Sequence, residues 1–344
     1  MPDFVSLATI QAAHTRIAPV AVRTPLIRLT RARVRMAGFA ELSESMPDIY
    51  LKDESQQPIG SFKLRGAYNT IAQLSPDELK RGVITYSSGN HAQGVAFAAR
   101  ALGSKAVIVM PSTTPPIKQQ KTAELGAEIV MVGPASKERK AKAEDLAAQH
   151  GYTIVPPYDD ERIIAGQATC GLEILEHLGW DDQAETADAV ILSPVSGGGL
   201  LSGVATGIKQ VCAANNWQAP QVWGCEPELA ADAHESFYAK ELVEWPTDRT
   251  TRTLADGLRT QSLGERNFAH ILRFADGILT VTEDEIRIAL RILLTATNIV
   301  AEPSGAVTLA AALFHTQELP KTRKIAAIVS GGNIDPTLRA ELTA

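Results

Sequence analysis

A lysine in an electrostatically unfavourable place is the first candidate for chemistry in this sequence. Lys63 lies in the run Gly60-Ser61-Phe62-Lys63-Leu64-Arg65-Gly66-Ala67, in the first turn of a predicted helix. The amino end of a helix already carries partial positive charge, so a cation there is disfavoured, and we expect Arg65 to crowd it further. A lysine that loses its proton becomes a nucleophile able to form a Schiff base with a carbonyl. Taken alone, a solvated surface lysine would be the commoner explanation.

A second segment predicts an anion site at the start of another helix. Ser87-Ser88-Gly89-Asn90-His91-Ala92-Gln93-Gly94 follows a predicted strand and opens a helix. Small and hydroxylic residues at a helix start leave backbone N–H groups and hydroxyls available to a carboxylate or phosphate. The alternative is a helix cap by Ser88 or Asn90 with no ligand. His91 by itself is more often structural than a base.

The third segment is a glycine loop, Ser196-Gly197-Gly198-Gly199-Leu200, between a predicted strand and a predicted helix. Consecutive glycines let backbone amides curl around an anion at the helix amino end. The loop lacks the GxGxxG spacing of dinucleotide folds and the GK[ST] of P-loops. It therefore predicts a phosphate cup without evidence for a nucleotide, and a flexible turn is the alternative.

The fourth segment is Ser330-Gly331-Gly332-Asn333, directly after an apolar run. A serine at the carboxyl end of a strand lies where ligands bind in open parallel sheets, although an ordinary turn has the same composition. The sequence contains no HExxH, no zinc spacing of cysteine and histidine, and no GxSxG elbow. These absences argue against metallohydrolases and serine hydrolases.

Short apolar runs alternate with longer amphipathic runs, which predicts an α/β fold with a mostly parallel sheet. The predicted strands are Val83–Tyr86, Ala106–Met110, Glu128–Val132, Ala189–Leu192, Gln221–Cys225 and Ile325–Val329. The predicted helices are Lys63–Gln73, Asn90–Leu102, Pro116–Leu125, Lys137–His150, Glu161–Leu178, Leu200–Asn215, Glu283–Ala296 and Gly305–His315.

A chain of 344 residues exceeds the size at which one core stops growing, so we expect two lobes. Residues 82–157 hold three consecutive βα units and are predicted to form a small domain, with Pro156-Pro157 as its exit hinge. Residues 1–81 and 158–344 would form the large domain. A small-molecule site is expected in the cleft between them.

Composition excludes several classes of protein. There are 33 Lys and Arg against 39 Asp and Glu, with no concentrated basic run, so nucleic acid is not an expected partner. Three cysteines without a CxxC pair, and no signal-peptide pattern, predict a cytoplasmic protein. The charge-free stretch Ala189–Ile208 contains Pro194 and five glycines, so we predict strand, loop and helix rather than a membrane span.

The four segments, in this order and spacing, resemble the fold-type II pyridoxal-phosphate enzymes, which share a tryptophan synthase β-like fold. The serine/threonine dehydratase and serine racemase branch is the most similar, on SFKLRGA, SSGNHAQG and SGGGLLSG. The resemblance covers the chain from Thr24-Pro25-Leu26 to the Ser330 segment. It implies two open, mostly parallel sheets wrapped by helices, in a large and a smaller lobe.

The resemblance also implies site residues. Lys63 would hold pyridoxal 5'-phosphate in a Schiff base and serve as the base, and Ser88 would be a second catalytic residue on the opposite face of the cofactor. The implied cofactor-binding residues are Phe62, Lys63, Asn90, Ser196, Gly197, Gly198, Gly199, Leu200, Gly257, Glu302 and Ser330. The substrate carboxylate would bind at Ser87, Ser88, Gly89, Asn90 and His91.

The implied activity is dehydration of a β-hydroxy amino acid (L-threonine, L-serine or 3-hydroxyaspartate) to a 2-oxo acid and ammonia. A neutral Ser330 at the pyridine nitrogen would favour β-elimination or racemisation over transamination. One alternative is an amino-acid racemase with side dehydratase activity, which Ser88 permits, although Ser88 could equally be a helix cap. A non-catalytic binding protein for the cofactor or an amino acid is the alternative from another class.

A cation site is implied at Glu226, the carbonyl of Ala230, and Asp232. Such oxygen ligands suit Mg²⁺ or Ca²⁺. The family often has a second acid where this chain has Ala231, and surface carboxylates without metal are the alternative. The resemblance further suggests a homodimer acting on a small amino acid. Because the chain ends shortly after Ser330, we expect no regulatory domain for isoleucine control.

Overall fold

The computed structural model describes residues 3–133, 136–179, 187–322 and 324–343. Two sheets organise these residues, one of six strands and one of four. The strands are β1 (Leu26–Leu29), β2 (Asp48–Asp53), β3 (Val83–Tyr86), β4 (Ala106–Pro111), β5 (Glu128–Val132), β6 (Thr153–Ile154), β7 (Ala189–Pro194), β8 (Gln221–Pro227), β9 (Gly277–Val281) and β10 (Lys324–Val329).

Helices cover the faces of both sheets. Those in the first half of the chain are α1 (Leu7–Ile17), α2 (Arg31–Met36), α3 (Ala40–Ser45), α4 (Lys63–Ile71), α5 (Pro76–Arg81), α6 (Asn90–Ala101), α7 (Pro116–Glu124), α8 (Ser136–His150) and α9 (Glu161–Leu178). Those in the second half are α10 (Gly199–Ala214), α11 (Asp232–Ala239), α12 (Thr247–Thr250), α13 (Glu265–Phe274), α14 (Glu283–Ala296), α15 (Pro303–Phe314) and α16 (Pro336–Thr343).

The larger sheet has the strand order β1-β2-β10-β7-β8-β9 and the smaller sheet has the order β5-β4-β3-β6. All pairings are parallel except that of β1 with β2. The predicted α/β fold with two mostly parallel sheets is therefore confirmed.

The central strand β7 shows why this sequence forms a covered parallel sheet. All six of its residues are buried, as expected where helices pack on both faces. Val190 and Leu192 belong to a core with α14 and α15, whereas Ile191 belongs to a core with α9 and α10. Successive side chains thus point to opposite cores.

The smaller sheet lies within residues 82–157, and its strands alternate with α6, α7 and α8 as three βα units. Its core also contains Ala67 and Ile71 of α4 and Ile163 of α9. The helix α4, which begins with Lys63, therefore packs against the smaller sheet. The loop that leads into it comes from β2 of the larger sheet.

The predicted strands and helices are all present, and no predicted end differs from the observed one by more than two residues. The sequence did not predict β1, β2, β6 and β9. The strands β1 and β2 carry charged residues and β6 has two residues, whereas β9 is an apolar run of five residues that was not recognised. The segment Ala189–Ile208 forms β7, a loop and the start of α10. Among the described residues, no helix has the length and apolar character needed to cross a membrane.

Candidate active site

Lys63 is the first residue of α4, immediately after Phe62. Its Nζ donates a hydrogen bond of 2.8 Å to the carbonyl oxygen of Pro157 and lies 5.2 Å from the centre of the Phe62 ring. Burial lowers its pKa to about 8. A substantial neutral fraction near physiological pH makes this amine a competent nucleophile.

Arg65 does not crowd Lys63, so that expectation is wrong. Its guanidinium forms ion pairs with Glu54 at 2.7 Å and Glu173 at 2.6 Å. These carboxylates balance its charge, and burial is the cause of the lowered pKa of Lys63. The amine is activated by loss of solvent rather than by a neighbouring cation.

The Ser330 loop is bonded to the segment that leads into Lys63. The backbone N–H of Phe62 donates to the carbonyl of Ser330 at 3.0 Å, and that of Gly332 donates to the carbonyl of Gly60 at 2.9 Å. Ser330 is buried at the carboxyl end of β10. The structure thus bonds the backbone of this loop to the lysine segment, while the neutral hydroxyl of Ser330 lies 3.5 Å from the carbonyl oxygen of Ser304.

The glycine loop has the backbone of an anion cradle. Helix α10 begins at Gly199 and no side chain caps it, while Gly198 has a left-handed φ of 93°. A methyl group at Gly197 would lie 2.3 Å from the Tyr158 ring, so only glycine fits there. The carbonyl of Gly197 accepts a 2.9 Å hydrogen bond from Asn267. The N–H groups of the first turn are left for an anion.

The side chain of Ser196 lies at the entrance of this loop, with its Oγ 3.1 Å from Oγ1 of Thr260. Leu200 is buried in the first turn of α10. The loop and the helix end fit a phosphate, because they offer backbone donors and a helix dipole and contain no carboxylate.

The Ser87–His91 segment also opens a helix without a side-chain cap. Helix α6 begins at Asn90 after Gly89, so neither Ser88 nor Asn90 caps it and the helix-cap alternative is wrong. Ser87 Oγ accepts a 3.3 Å hydrogen bond from the N–H of Gly89. The uncapped first turn matches the predicted carboxylate site.

The imidazole of His91 is buried, and its surroundings do not suit a catalytic base. Its Nε2 lies 3.1 Å from the carbonyl of Val155, and its Nδ1 has no hydrogen-bond partner. Burial, and secondarily the charge of Lys63, lowers its pKa to about 3. The ring is therefore neutral, and only the backbone N–H of His91 suits the predicted substrate contact.

Asn90 and Glu302 are brought together across more than two hundred residues of sequence. Asn90 Nδ2 donates to Glu302 Oε1 at 2.7 Å, and Asn333 Nδ2 donates to Asn90 Oδ1 at 2.8 Å. Burial, followed by the charge of Asp256, raises the pKa of Glu302 to about 7. The contacts of Asn90 fix which side of its amide faces the cleft.

Gly257 is exposed, and its backbone N–H donates to Ser304 Oγ at 2.9 Å. The preceding residue, Asp256, forms a 2.6 Å ion pair with Lys118 of α7. This ion pair connects α7, which packs on the smaller sheet, to the short segment that contains Asp256 and Gly257. The sequence analysis gave no role to Lys118 and Tyr158, and none to Asn333 within the fourth segment, since only their spatial neighbours mark them.

Glu226 and Asp232 are both 0% exposed, so the alternative of surface carboxylates is wrong. Glu226 Oε1 and both carboxylate oxygens of Asp232 have no hydrogen-bond partner. Burial raises the pKa of Asp232 to about 7, and burial with the charge of Asp232 raises the pKa of Glu226 far above its ordinary value. Unpartnered buried carboxylates require neutralisation. Ala230 is buried between them in sequence.

A comparison with protein-family models matches residues 17–331 to the family described as pyridoxal-phosphate dependent enzyme. The chain belongs to this family. The residues present fit the cofactor: a partly buried lysine of lowered pKa, an uncapped glycine cradle and a buried neutral serine on the loop that is bonded to the lysine segment.

Three similar proteins refine the comparison. The L-threonine dehydratase catabolic TdcB of Staphylococcus aureus (strain USA300) is 37% identical over 335 residues, which cover 97% of this chain and 90% of the relative. The L-threo-3-hydroxyaspartate ammonia-lyase of Saccharomyces cerevisiae is 39% identical over 287 residues, 83% of each chain. The structure of maize serine racemase has a TM-score of 0.85 and 32% identity, covering 98% of this chain and 97% of that one.

Proposed function

We propose that this protein is a pyridoxal-phosphate-dependent ammonia-lyase that dehydrates a β-hydroxy amino acid to a 2-oxo acid and ammonia. The observation that carries the proposal is the partly buried Lys63 amine, with a pKa lowered to about 8, in a chain with an uncapped glycine cradle. The threonine dehydratase and the hydroxyaspartate ammonia-lyase it resembles both bear names of this reaction class.

When bound, pyridoxal phosphate supplies an electron sink at the α-carbon of an amino acid. Lys63 would hold its aldehyde and then, once free, accept the α-proton of the substrate at Nζ. The backbone N–H groups from Ser87 to His91 would hold the substrate carboxylate at the amino end of α6. Phe62 would pack at the ring, and Ser196 to Leu200 would hold the phosphate.

The neutral Ser330 decides the direction of the reaction. A carboxylate in its place would keep the pyridine nitrogen protonated and strengthen the electron sink. A hydroxyl does not, so negative charge at the α-carbon is better relieved by loss of the β-hydroxyl. Water leaves, one water returns on hydrolysis, and the balance is one 2-oxo acid and one ammonium per substrate.

Lys63→Ala tests this function. The variant should release no 2-oxo acid, because the covalent anchor and the base are lost together, and retained turnover would refute the assignment. A non-catalytic binding protein is tested on the wild type: cofactor uptake without 2-oxo acid from any of serine, threonine or 3-hydroxyaspartate would favour that class. The same panel decides which side chain the site accepts.

Racemisation is the second candidate function, supported by Ser88 and by the likeness to maize serine racemase. Because Ser88 does not cap α6, its hydroxyl would be free for the proton transfer that the resemblance implies on the face opposite Lys63. Ser88→Ala should spare dehydration of the L-substrate and end racemisation, measured by chiral chromatography. Equal loss of both reactions would instead mean that Ser88 has a structural role.

We also propose that Glu226, the Ala230 carbonyl and Asp232 bind Mg²⁺ or Ca²⁺. Three unpartnered buried carboxylate oxygens support this, since hard cations prefer oxygen ligands. Only two carboxylates contribute, and within the described ranges no cluster of three acidic, histidine or cysteine side chains occurs, so waters would complete the shell. Either cation should raise the melting temperature, and Asp232→Asn should abolish that rise; no rise in the wild type refutes the site.

Cytoplasmic residence, a homodimer and no nucleic-acid partner remain proposals, as do the domain limits of 82–157 and 1–81 with 158–344. The three cysteines are free and buried, which suits a reducing compartment. Light scattering tests the dimer, and limited proteolysis near Pro157 tests the domain limits.

A further inference from the structure

Four charged side chains form a buried cluster behind Lys63, composed of Lys52, Glu54, Arg65 and Glu173. None is more than 3% exposed. Arg65 donates two hydrogen bonds to Glu54, at 2.8 and 2.7 Å, and two to Glu173, at 2.6 and 2.8 Å. Two cations meet two anions, so the cluster is neutral overall.

Lys52 completes the cluster from β2. Its Nζ donates to Glu173 Oε2 at 2.5 Å and to the carbonyl of Thr24 at 2.6 Å. The hydroxyl of Thr24 in turn donates to Glu54 at 2.6 Å. The cluster therefore links α4 to β2, to the short turn after β2, to the segment before β1, and to α9.

Stability alone is a poor reason for this arrangement. Burying charges costs several kcal/mol per ion, and well-packed apolar groups of similar volume are often as stable or more so. What a planar guanidinium adds is direction, because two carboxylate forks hold it in a single plane and orientation. The cluster is thus better suited to fix geometry than to add stability.

The geometry it fixes is that of the helix carrying Lys63. Residues two apart on an α-helix are rotated by about 200°, so Arg65 and Lys63 lie on opposite sides of α4. Arg65 is held in the interior, and Lys63 consequently points toward Pro157. If α4 turned about its axis, both forks would break.

Close backbone contacts fix how near the same helix lies to α9 and α6. A methyl group at Gly166 of α9 would lie 2.7 Å from the carbonyl oxygen of Arg65. One at Gly94 of α6 would lie 3.2 Å from the carbonyl oxygen of Lys63. These glycine contacts set the distance of α4 from its neighbours. The forks of Arg65 oppose rotation of α4 about its axis.

We propose that Arg65 is a positioning residue for Lys63: its forks to Glu54 and Glu173 set the rotation of α4 and thereby the direction in which Lys63 Nζ enters the cleft. This inference rests on the proposed role of Lys63 as the covalent anchor. Arg65 itself touches neither substrate nor cofactor.

Arg65→Lys tests the proposal, because lysine keeps the charge but cannot form two forks at once. The measurement is the rate at which the apoprotein captures pyridoxal phosphate covalently, followed by its visible band. We expect a fall of about tenfold or more, since small misplacements of reacting groups have large effects on rate. The midpoint of its pH profile should also move up toward that of an ordinary lysine.

Pyridoxine 5'-phosphate separates positioning from general damage, because it has the phosphate but no aldehyde for Lys63. Its dissociation constant should be the same for Arg65→Lys and wild type. The matched control is Arg162→Lys, where another two-bond fork, to Asp160 at 3.0 and 2.7 Å, does not include a side chain of α4. The one bond from Arg162 to α4 uses its backbone carbonyl, which accepts from Asn69 at 2.6 Å, and the substitution leaves that carbonyl in place. A capture rate in Arg65→Lys no lower than in this control overturns the proposal.

A milder variant covers the case in which Arg65→Lys does not fold. Glu173→Asp keeps the charge balance of the cluster but draws the carboxylate back by one methylene group, which disturbs the fork of 2.6 and 2.8 Å to Arg65. Capture should then slow by about threefold or more, and an unchanged rate overturns the proposal. If the wild type itself captures no pyridoxal phosphate, the proposed function fails first; if it does and Arg65→Lys matches it, only this inference fails.

Discussion

Gly197→Ala is the substitution whose effect follows most directly from the geometry of the cradle. The added methyl carbon would lie 2.3 Å from carbon atoms of the Tyr158 ring, whereas non-bonded carbons prefer about 3.5 Å or more. Either the ring or the loop must therefore move by roughly 1 Å. The base of the Tyr158 side chain lies against Gly199, since a methyl group there would be 3.1 Å from Tyr158 Cβ. The tyrosine therefore has little room to retreat, and the loop is expected to move.

A displacement of about 1 Å at a positioning group costs on the order of 100-fold, which corresponds to about 2.7 kcal/mol. We therefore expect the dissociation constant of pyridoxine 5'-phosphate for the Gly197→Ala protein to rise by about 100-fold. Overpacking should also lower the free energy of unfolding by about 1–3 kcal/mol. Equilibrium titration and urea unfolding measure the two effects separately.

Tyr158→Leu supplies the internal control. In combination with Gly197→Ala it removes the ring that the methyl group strikes, so the double variant should regain much of the lost affinity, and the two substitutions should be non-additive. Unchanged affinity in Gly197→Ala, or additive losses in the double variant, would show that contact with Tyr158 does not shape the cradle.

Two further predictions concern pH. Because the pKa of Lys63 is lowered to about 8, covalent capture of pyridoxal phosphate by the apoprotein should speed up with rising pH and level off above about 8, whereas a midpoint near the ordinary lysine value of about 10.4 would contradict the burial argument. Burial raises the pKa of Asp232 from 3.8 to about 7, so the folded state holds a proton that the unfolded state has released; without added cation, the contribution of Asp232 to stability should be complete below about 4 and should be lost as pH rises through about 7. Urea unfolding of wild type and Asp232→Asn checks this, because the variant should have a shallower slope over that range, the remainder belonging to buried Glu226, and an equally steep slope in both proteins would contradict it.

The order and extent of the main elements could be read from the sequence because each depends on local patterns. The runs that become β4 and β7 are apolar apart from Ser193, which is typical of strands covered on both faces. The loops after β3, β7 and β10 carry glycine and serine at the point where parallel strands end. Since such ends are where ligands bind, the same local patterns also indicated the site.

The strand β2 shows where local patterns were insufficient. Its sequence, Asp48 to Asp53, contains charged residues that suggest an exposed loop, yet Lys52 is 0% exposed in the larger sheet. The strand is stable there because Glu173 of α9, 121 residues away, accepts a hydrogen bond from the Lys52 amine. A charge can be buried only beside its partner, and the partner is specified by the tertiary fold.

For the surroundings of Lys63, too, some features follow from the sequence and others only from the tertiary structure. The sequence by itself determined that a lysine begins a helix among three glycine- and serine-rich loops, because helix starts and turns depend on neighbouring residues. Only the tertiary structure decided that Arg65 turns inward to Glu54 and Glu173, that Asn90 meets Glu302, and that Glu226 Oε1 and both carboxylate oxygens of Asp232 are buried without partners. Burial and ion pairing are properties of surroundings assembled from distant segments, and those surroundings set the pKa values on which the proposed chemistry depends.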